Sequence, residues 1–149
     1  MNLPTLGRSG RVAVAVITLA LSACVTPRPQ SREMAGMLPV LSVERFLQAV
    51  NARDFEAMRE LFGTHSGPIN GERREIEIRM AAIAGILRHE DYKIVEDQRE
   101  PGREYPTTLV TVSLTKGGRN IPDVPLLVVQ TDNGGWLVEQ VDMEKITKL

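Results

Sequence analysis

Three kinds of side chain in this sequence could do chemistry: one cysteine, two histidines and a scatter of acids and hydroxyls. Cys24 is the only thiol. His65 stands between Thr64 and Ser66 in a glycine-rich stretch, where it could donate hydrogen bonds at the mouth of a pocket or act as a base near neutral pH. A base needs a partner in reach, and none is implied by spacing, so His65 reads as an exposed loop histidine. His89-Glu90-Asp91 offers three metal-binding side-chain types, but consecutive residues do not converge on one face. That run reads as a solvated helix end, and the two histidines lack zinc-ligand spacing. Ser66-Gly67 is without the flanks of a nucleophile elbow, and no glycine-rich phosphate loop opens a helix. Lys116-Gly117-Gly118-Arg119 fits a hairpin tip rather than an anion site. Asp132 opens a turn with no calcium-loop glutamate after it. No metal or cofactor is therefore expected.

The position of Cys24 gives it meaning. Arg8 and Arg11 make a positive start with no acid before them, and Val12 to Leu21 is an apolar run of ten residues. A membrane-spanning helix needs about 20, so this is the anatomy of an export signal. Leu21-Ser22-Ala23-Cys24 closes the run and resembles the lipobox of bacterial lipoproteins. The resemblance implies that residues 1–23 are a signal peptide, removed as the Cys24 sulfur receives a diacylglyceryl group and its new N-terminus is acylated. At about 0.8 kcal/mol per buried methylene, one chain binds a bilayer marginally, whereas two or more make a stable anchor. Val25 stands where inner-membrane lipoproteins often carry Asp, which implies the periplasmic side of the outer membrane.

Once residues 1–23 are removed, Cys24 is the first residue and no internal disulfide or cysteine-metal site can form. Of 18 basic residues, Arg8 and Arg11 leave with the signal; the remaining 16 face 19 acids, a net charge of −3. That balance speaks against nucleic acid or an anionic lipid surface as a partner. Residues 24–40 read as the lipidated cysteine and a flexible tether: Thr26-Pro27-Arg28-Pro29-Gln30-Ser31 is polar and proline-rich, and Gly36 and Pro39 interrupt the remainder of the segment. Residues 41–149 then suit one domain.

The periodicity within that domain changes once. Ser42 is a good N-cap for a helix with Val43, Phe46, Leu47 and Val50 on one face. Asn51-Ala52-Arg53-Asp54 breaks it, and Asp54 can cap a second helix carrying Phe55, Met58, Leu61 and Phe62, stopped by Gly63. Residues 63–71 read as a long connection. A third helix over Glu72–His89 has Ile76, Met80, Ile83, Ala84 and Leu87 as its stripe and a Glu75–Arg79 pair on its exposed side. Strands come next, over Tyr92–Gln98, Pro106–Thr115, Val124–Thr131 and Trp136–Met143, with turns at Pro101-Gly102, at Lys116–Asn120 and at Asp132–Gly135. Pro122 and Pro125 place the start of the third strand at a bulge or edge. The fold class is α+β: three N-terminal helices packed on a four-stranded antiparallel sheet.

The run from Val43 to Met58, helix, short Asn/Asp break and second helix, with the closing hairpin Gly134-Gly135-Trp136-Leu137-Val138-Glu139, resembles the nuclear transport factor 2-like (SnoaL-like, cystatin-like) superfamily. The likeness spans about residues 42–143. It implies a curved, cone-shaped sheet around the helices, often with a pocket at the open end. Enzymes of that superfamily set acids, histidines or tyrosines on the pocket-facing strands. Here that implies Tyr92, Tyr105, Glu139, Gln140 and Asp142, with His65 near the mouth. Glu139 and Asp142 fall on opposite alternations, so only one faces a cavity unless a bulge intervenes. No family catalytic residue maps onto a matching position. The leading expectation is thus a noncatalytic binding or protein-interaction module for a small apolar ligand or an envelope protein, with an isomerase- or cyclase-type enzyme and a structural assembly factor as alternatives. Phe46, Phe55, Met58, Met80 and Val128 are the residues that would line an apolar pocket or else form the core.

One expectation comes from the strands alone. Leu126 and Val128 lie on one face of the third strand and Leu127 and Val129 on the other; in the second, Val110, Val112 and Leu114 oppose Leu109. A half-solvated sheet should alternate with polar residues, so the second face calls for cover. A second copy of the chain supplies it most simply, and relatives in the superfamily often dimerise this way. A C-terminal tail folding back is the alternative.

Overall fold

The structure is a computed structural model and describes residues 38–148. Cys24, the expected signal sequence and most of the expected tether therefore lie outside the described residues. Helix α1 spans Pro39–Ala52, α2 Phe55–Leu61 and α3 Arg73–Leu87. A small hairpin of β1 (Gly63–Thr64) and β2 (Gly67–Pro68) separates α2 from α3. Strands β3 (Asp91–Arg99), β4 (Thr107–Lys116), β5 (Arg119–Gln130) and β6 (Trp136–Val141) come after α3, and a last turn of helix, α4, runs over Glu144–Thr147. The four strands form one antiparallel meander in the order β3-β4-β5-β6. Helices first and sheet second is the α+β arrangement expected.

The start of α1 differs from the expectation for a physical reason. Leu38 is its extended N-cap and Pro39 its first helical residue, where the missing N–H costs nothing. Ser42 is not the cap; it is fully buried one turn in, and its hydroxyl donates to the Trp136 carbonyl at 2.9 Å. The break after α1 is a left-handed Arg53 (φ 54°), with the Asp54 N–H returning to the Ala49 carbonyl. Asp54 then caps α2 as expected, its carboxylate accepting from the Ala57 N–H at 3.0 Å. The third helix ends at Leu87, two residues before His89. Its exposed Glu75–Arg79 pair does not form: the Arg79 guanidinium lies over the Phe62 ring, 5.7 Å from its centre.

In the sheet, the turn between β4 and β5 contracts to Gly117-Gly118, both at positive φ (58° and 71°), so β5 begins at Arg119 rather than Val124. Each ladder carries a register shift: between Ile94 and Glu96, between Val112 and Leu114, and between Leu127 and Val128. Bulges of this kind bend and twist strands. Pro122 sits in the second bulge. Pro125 lies just beyond Leu126, the last β5 residue paired with β6, so both prolines stand at the bulge and edge that the sequence demanded.

The core lies between the helices and one sheet face. Val43, Phe46, Leu47 and Val50 of α1, Met58 of α2, Met80 and Leu87 of α3, and Val110, Val112, Leu126 and Val128 of the sheet are all fully buried in one cluster. Phe46 stacks on Phe62 with ring centres 5.9 Å apart. Each large side chain buried this way contributes about 1.5–3 kcal/mol. The C-terminal turn closes this same side, with Ile146 buried in the cluster, so the tail does not cover the opposite face of the sheet.

On that opposite face, the two ends differ. Val129 and its cross-strand partner Leu137 are 1% and 2% exposed, although neither belongs to the main core. The segment 100–106 runs at this end of the sheet: it leaves β3, reaches β6 through an Arg103–Glu139 ion pair, sets Tyr105 on His65, and returns where the Gln130 N–H meets the Pro106 carbonyl. Farther along, Leu109, Pro125 and Leu127 remain half-buried beside Gln140, Asp142 and Met143.

Candidate functional site

The chain concentrates polar chemistry at one place, beside the β1–β2 hairpin. That hairpin exists because Gly63 lets two backbones touch. A Cβ on Gly63 would stand 2.8 Å from the Pro68 Cα and closer still to the Gly67 carbonyl oxygen. The hairpin docks on the sheet through a parallel bridge between Phe62 and Val138 and a hydrogen bond from the Asp132 N–H to the His65 carbonyl. Residues read as a long connection are thereby a fixed element. It brings Gly63, Ser66, Asn70, Arg79 and Glu139 around a surface cleft of about 290 Å³.

His65 forms the hairpin's turn. Its ring lies flat on Tyr105, centres 3.6 Å apart and planes within 9°, and its Nε2 is 3.1 Å from the Ser66 hydroxyl. Packing pushes the Tyr105 phenol above the ordinary tyrosine range, and the neighbouring Glu104 and Asp132 carboxylates push it further the same way. His65 and Ser66 are sequence neighbours at a turn, and the Ser66 side of the pair is exposed. A nucleophile-and-base reading would also need donors for a developing oxyanion, which these contacts do not supply.

The other sequence candidates go to separate places. Glu139 is the extra residue of the β6 bulge: Val138 pairs with Val128 and Gln140 with Leu127, leaving Glu139 between them. The bulge raised as an exception for Glu139 and Asp142 is therefore present, yet it does not unite them. Glu139 is held by Arg103. Asp142 ends β6 and accepts the Glu144 and Lys145 N–H groups at 3.1 and 3.4 Å, which nucleates α4. Gln140 is exposed on the sheet face away from the helices. Tyr92 packs against the core at the far edge of the sheet, edge-on to His89 with centres 5.6 Å apart. His89 is no solvated helix end. It is 7% exposed, its Nδ1 lies 2.9 Å from the Leu87 carbonyl and its N–H donates to Asn51 Oδ1 at 3.2 Å, joining the ends of α1 and α3. With its Nδ1 and its backbone N–H both partnered, the ring turns inward, edge-on to Tyr92.

Three further polar contacts join residues far apart in sequence. Arg103 as partner of Glu139 lies 36 residues away, and no local pattern signals it. Lys116 donates to the Ile86 carbonyl at the C-terminus of α3, where a cation complements the helix dipole. The Glu90 carboxylate accepts the Gly118 N–H, so the Gly-Gly tip does hold an anion, and that anion is the chain's own. A second surface cleft, of about 510 Å³, runs between α2 and α3 past Phe55, Glu56, Arg59, Arg73 and Ile76. In it a hydrogen bond from Arg59 holds the Glu56 carboxyl below its ordinary value. Among the described residues no group of three or more His, Cys, Asp or Glu side chains is arranged to hold a metal ion, and no helix is long and apolar enough to cross a membrane.

No protein-family model matches the chain. No curated protein matches it either. Among solved structures it is similar to "Rd1NTF2_05 with long sheet", at a TM-score of 0.44 and 17% identity over 76% of this chain and 94% of that one.

Proposed function

We propose that this protein is a lipid-anchored envelope protein whose α+β domain, of the nuclear transport factor 2-like kind, is a noncatalytic module that pairs with a second copy of itself. One observation carries the choice of interaction over ligand carriage. Phe46, Met58, Met80 and Val128, four of the five residues that would line an interior pocket, are fully buried in one packed cluster, while half-buried Leu109, Pro125 and Leu127 lie on the opposite sheet face. A cluster packed at protein density leaves no interior volume for a ligand among those four side chains. The 100–106 segment runs only at the Val129–Leu137 end of that face, and the remaining apolar residues are where a copy would dock, with Gln140 and Asp142 at the rim. The isomerase-type alternative needs an acid free to take a proton; Asp142 is engaged with two backbone N–H groups and Glu139 with Arg103.

Anchorage follows from the lipobox resemblance at Cys24, and the periplasmic side of the outer membrane from Val25. Native mass spectrometry of the full lipidated chain in mild detergent tests the module. A dimer that becomes monomeric in a Leu109→Glu/Leu127→Glu variant with unchanged circular dichroism is the expected result. A monomer at micromolar concentration overturns the pairing, and a reproducible small-molecule adduct would favour ligand carriage instead.

A further inference from the structure

We propose that the pole of the domain where α1 and β6 begin rests on the bilayer, with Leu38 and Leu41 seated in its interfacial layer beside Trp136. The proposal depends on the lipid-anchor reading of Cys24. Four large apolar side chains are prominently exposed among the described residues: Leu38 at 70%, Leu41 at 42%, Ile78 at 62% and Val95 at 50%. Ile78 and Val95 stand singly on α3 and β3, which is ordinary for a protein surface. Leu38 and Leu41 are instead neighbours at the entrance of α1. The Ser42 hydroxyl bound to the Trp136 carbonyl brings the start of β6 to that entrance, and the Trp136 indole is half-buried there with one side against the core.

Two further facts choose the occupant. The chain arriving from Cys24 enters the domain at Leu38, and the thirteen residues between them reach at most about 43–47 Å when extended. This pole is thus the part of the domain with the shortest reach to the anchor. Two leucines would bind a bilayer weakly from solution; attached through an acylated cysteine they meet it at high effective concentration. The first turn of α1, Pro39-Val40-Leu41-Ser42, carries no charge, and the charges that follow it, Glu44 and Arg45, balance, so the seating draws on apolar contact and not on anionic headgroups. Tryptophan belongs at such a boundary because its ring is apolar and its N–H polar.

Trp136 is the only tryptophan, which makes its fluorescence a reporter of this pole alone. The experiment places the full lipidated chain in phosphatidylethanolamine/phosphatidylglycerol vesicles with and without brominated acyl chains, and tracks flotation and emission together. The expected result is flotation with Trp136 quenched in the brominated vesicles, at low and high salt alike. A Leu38→Ser/Leu41→Ser variant should still float and should lose the quenching. Flotation with equal emission in both vesicles overturns the proposal and shows this pole turned toward residues 25–37 or another protein. Quenching that survives in the double variant overturns it as well. A chain that fails to float overturns the anchor reading, and this one with it, by a different signal.

Discussion

Replacing Gly63 with alanine sets a Cβ against the backbone of β2, and neither Gly67 nor Pro68 has a flexible end that could move aside. The cost should be at least about 1–3 kcal/mol, as for other overpacked sites, visible as a lower urea midpoint. A Cβ on Gly85 would meet nothing within 4 Å, and Gly85 sits inside α3, so alanine there should be neutral or stabilise by about 0.5–1 kcal/mol. Tyr105 makes a pH prediction. Its phenol pKa is raised in the folded state, first by packing and then by Glu104 and Asp132. The neutral form is therefore the one that folding favours: stability is unaffected below the phenol's unfolded pKa and declines as pH rises through the folded one. Absorbance titration of the phenolate should show a late component that disappears in Tyr105→Phe, and an unchanged curve would refute the packing account. His65 and His89 show how little a residue type decides. One is at an exposed hairpin turn stacked on a tyrosine and the other buried between two helix ends, and only the helix ends explain the difference.

At the scale of elements, the helical stripes and the turn chemistry were legible. Ile76, Met80, Ile83, Ala84 and Leu87 face inward as their spacing required, and Asp54 caps α2. Asp54→Ala should cost about 0.5–2 kcal/mol. Met80→Ala, which empties the centre of the cluster, should cost about 2–5 kcal/mol. Equal losses from the two would contradict the packing described. Boundaries were less legible where tertiary contacts set them. Pro39 and the buried Ser42 extend α1 backward because β6 offers a carbonyl to the serine. The β1–β2 hairpin forms because the β5–β6 turn and β6 accept it, a partnership about 70 residues long-range in sequence. Such pairings leave no periodic trace in the segment that makes them.

Taken whole, the molecule has a filled interior on one side of its sheet and an unequally covered face on the other. Leu127→Glu alone should weaken the proposed self-association in sedimentation while leaving the thermal midpoint nearly unchanged, since its side chain is only half-buried in one copy. A large drop in the midpoint would mean that Leu127 supports the domain's own fold. The segment 100–106 is held to the far strand by the Arg103–Glu139 pair, partly solvated at 41% and 25% side-chain exposure, and by the Tyr105–His65 stack. An exposed pair of this kind is worth about 0–1 kcal/mol, so the stack and the apolar contact beneath it carry the attachment.

Residue order alone was enough for the α+β layout, the four strands of the main sheet and the two-sided apolar character of β5, though not for the β1–β2 hairpin. Each is a local pattern: a period of 3.6 or 2, a capping acid, a glycine pair. It could not say that the pocket candidates Phe46, Met58, Met80 and Val128 close on one another, or that His65 meets Tyr105 and Glu139 meets Arg103 while Tyr92 and Asp142 stand elsewhere. Those outcomes depend on how three bulged ladders and the 100–106 segment bring distant residues together. The energy that selects them comes from contacts between elements, which no single element's pattern contains.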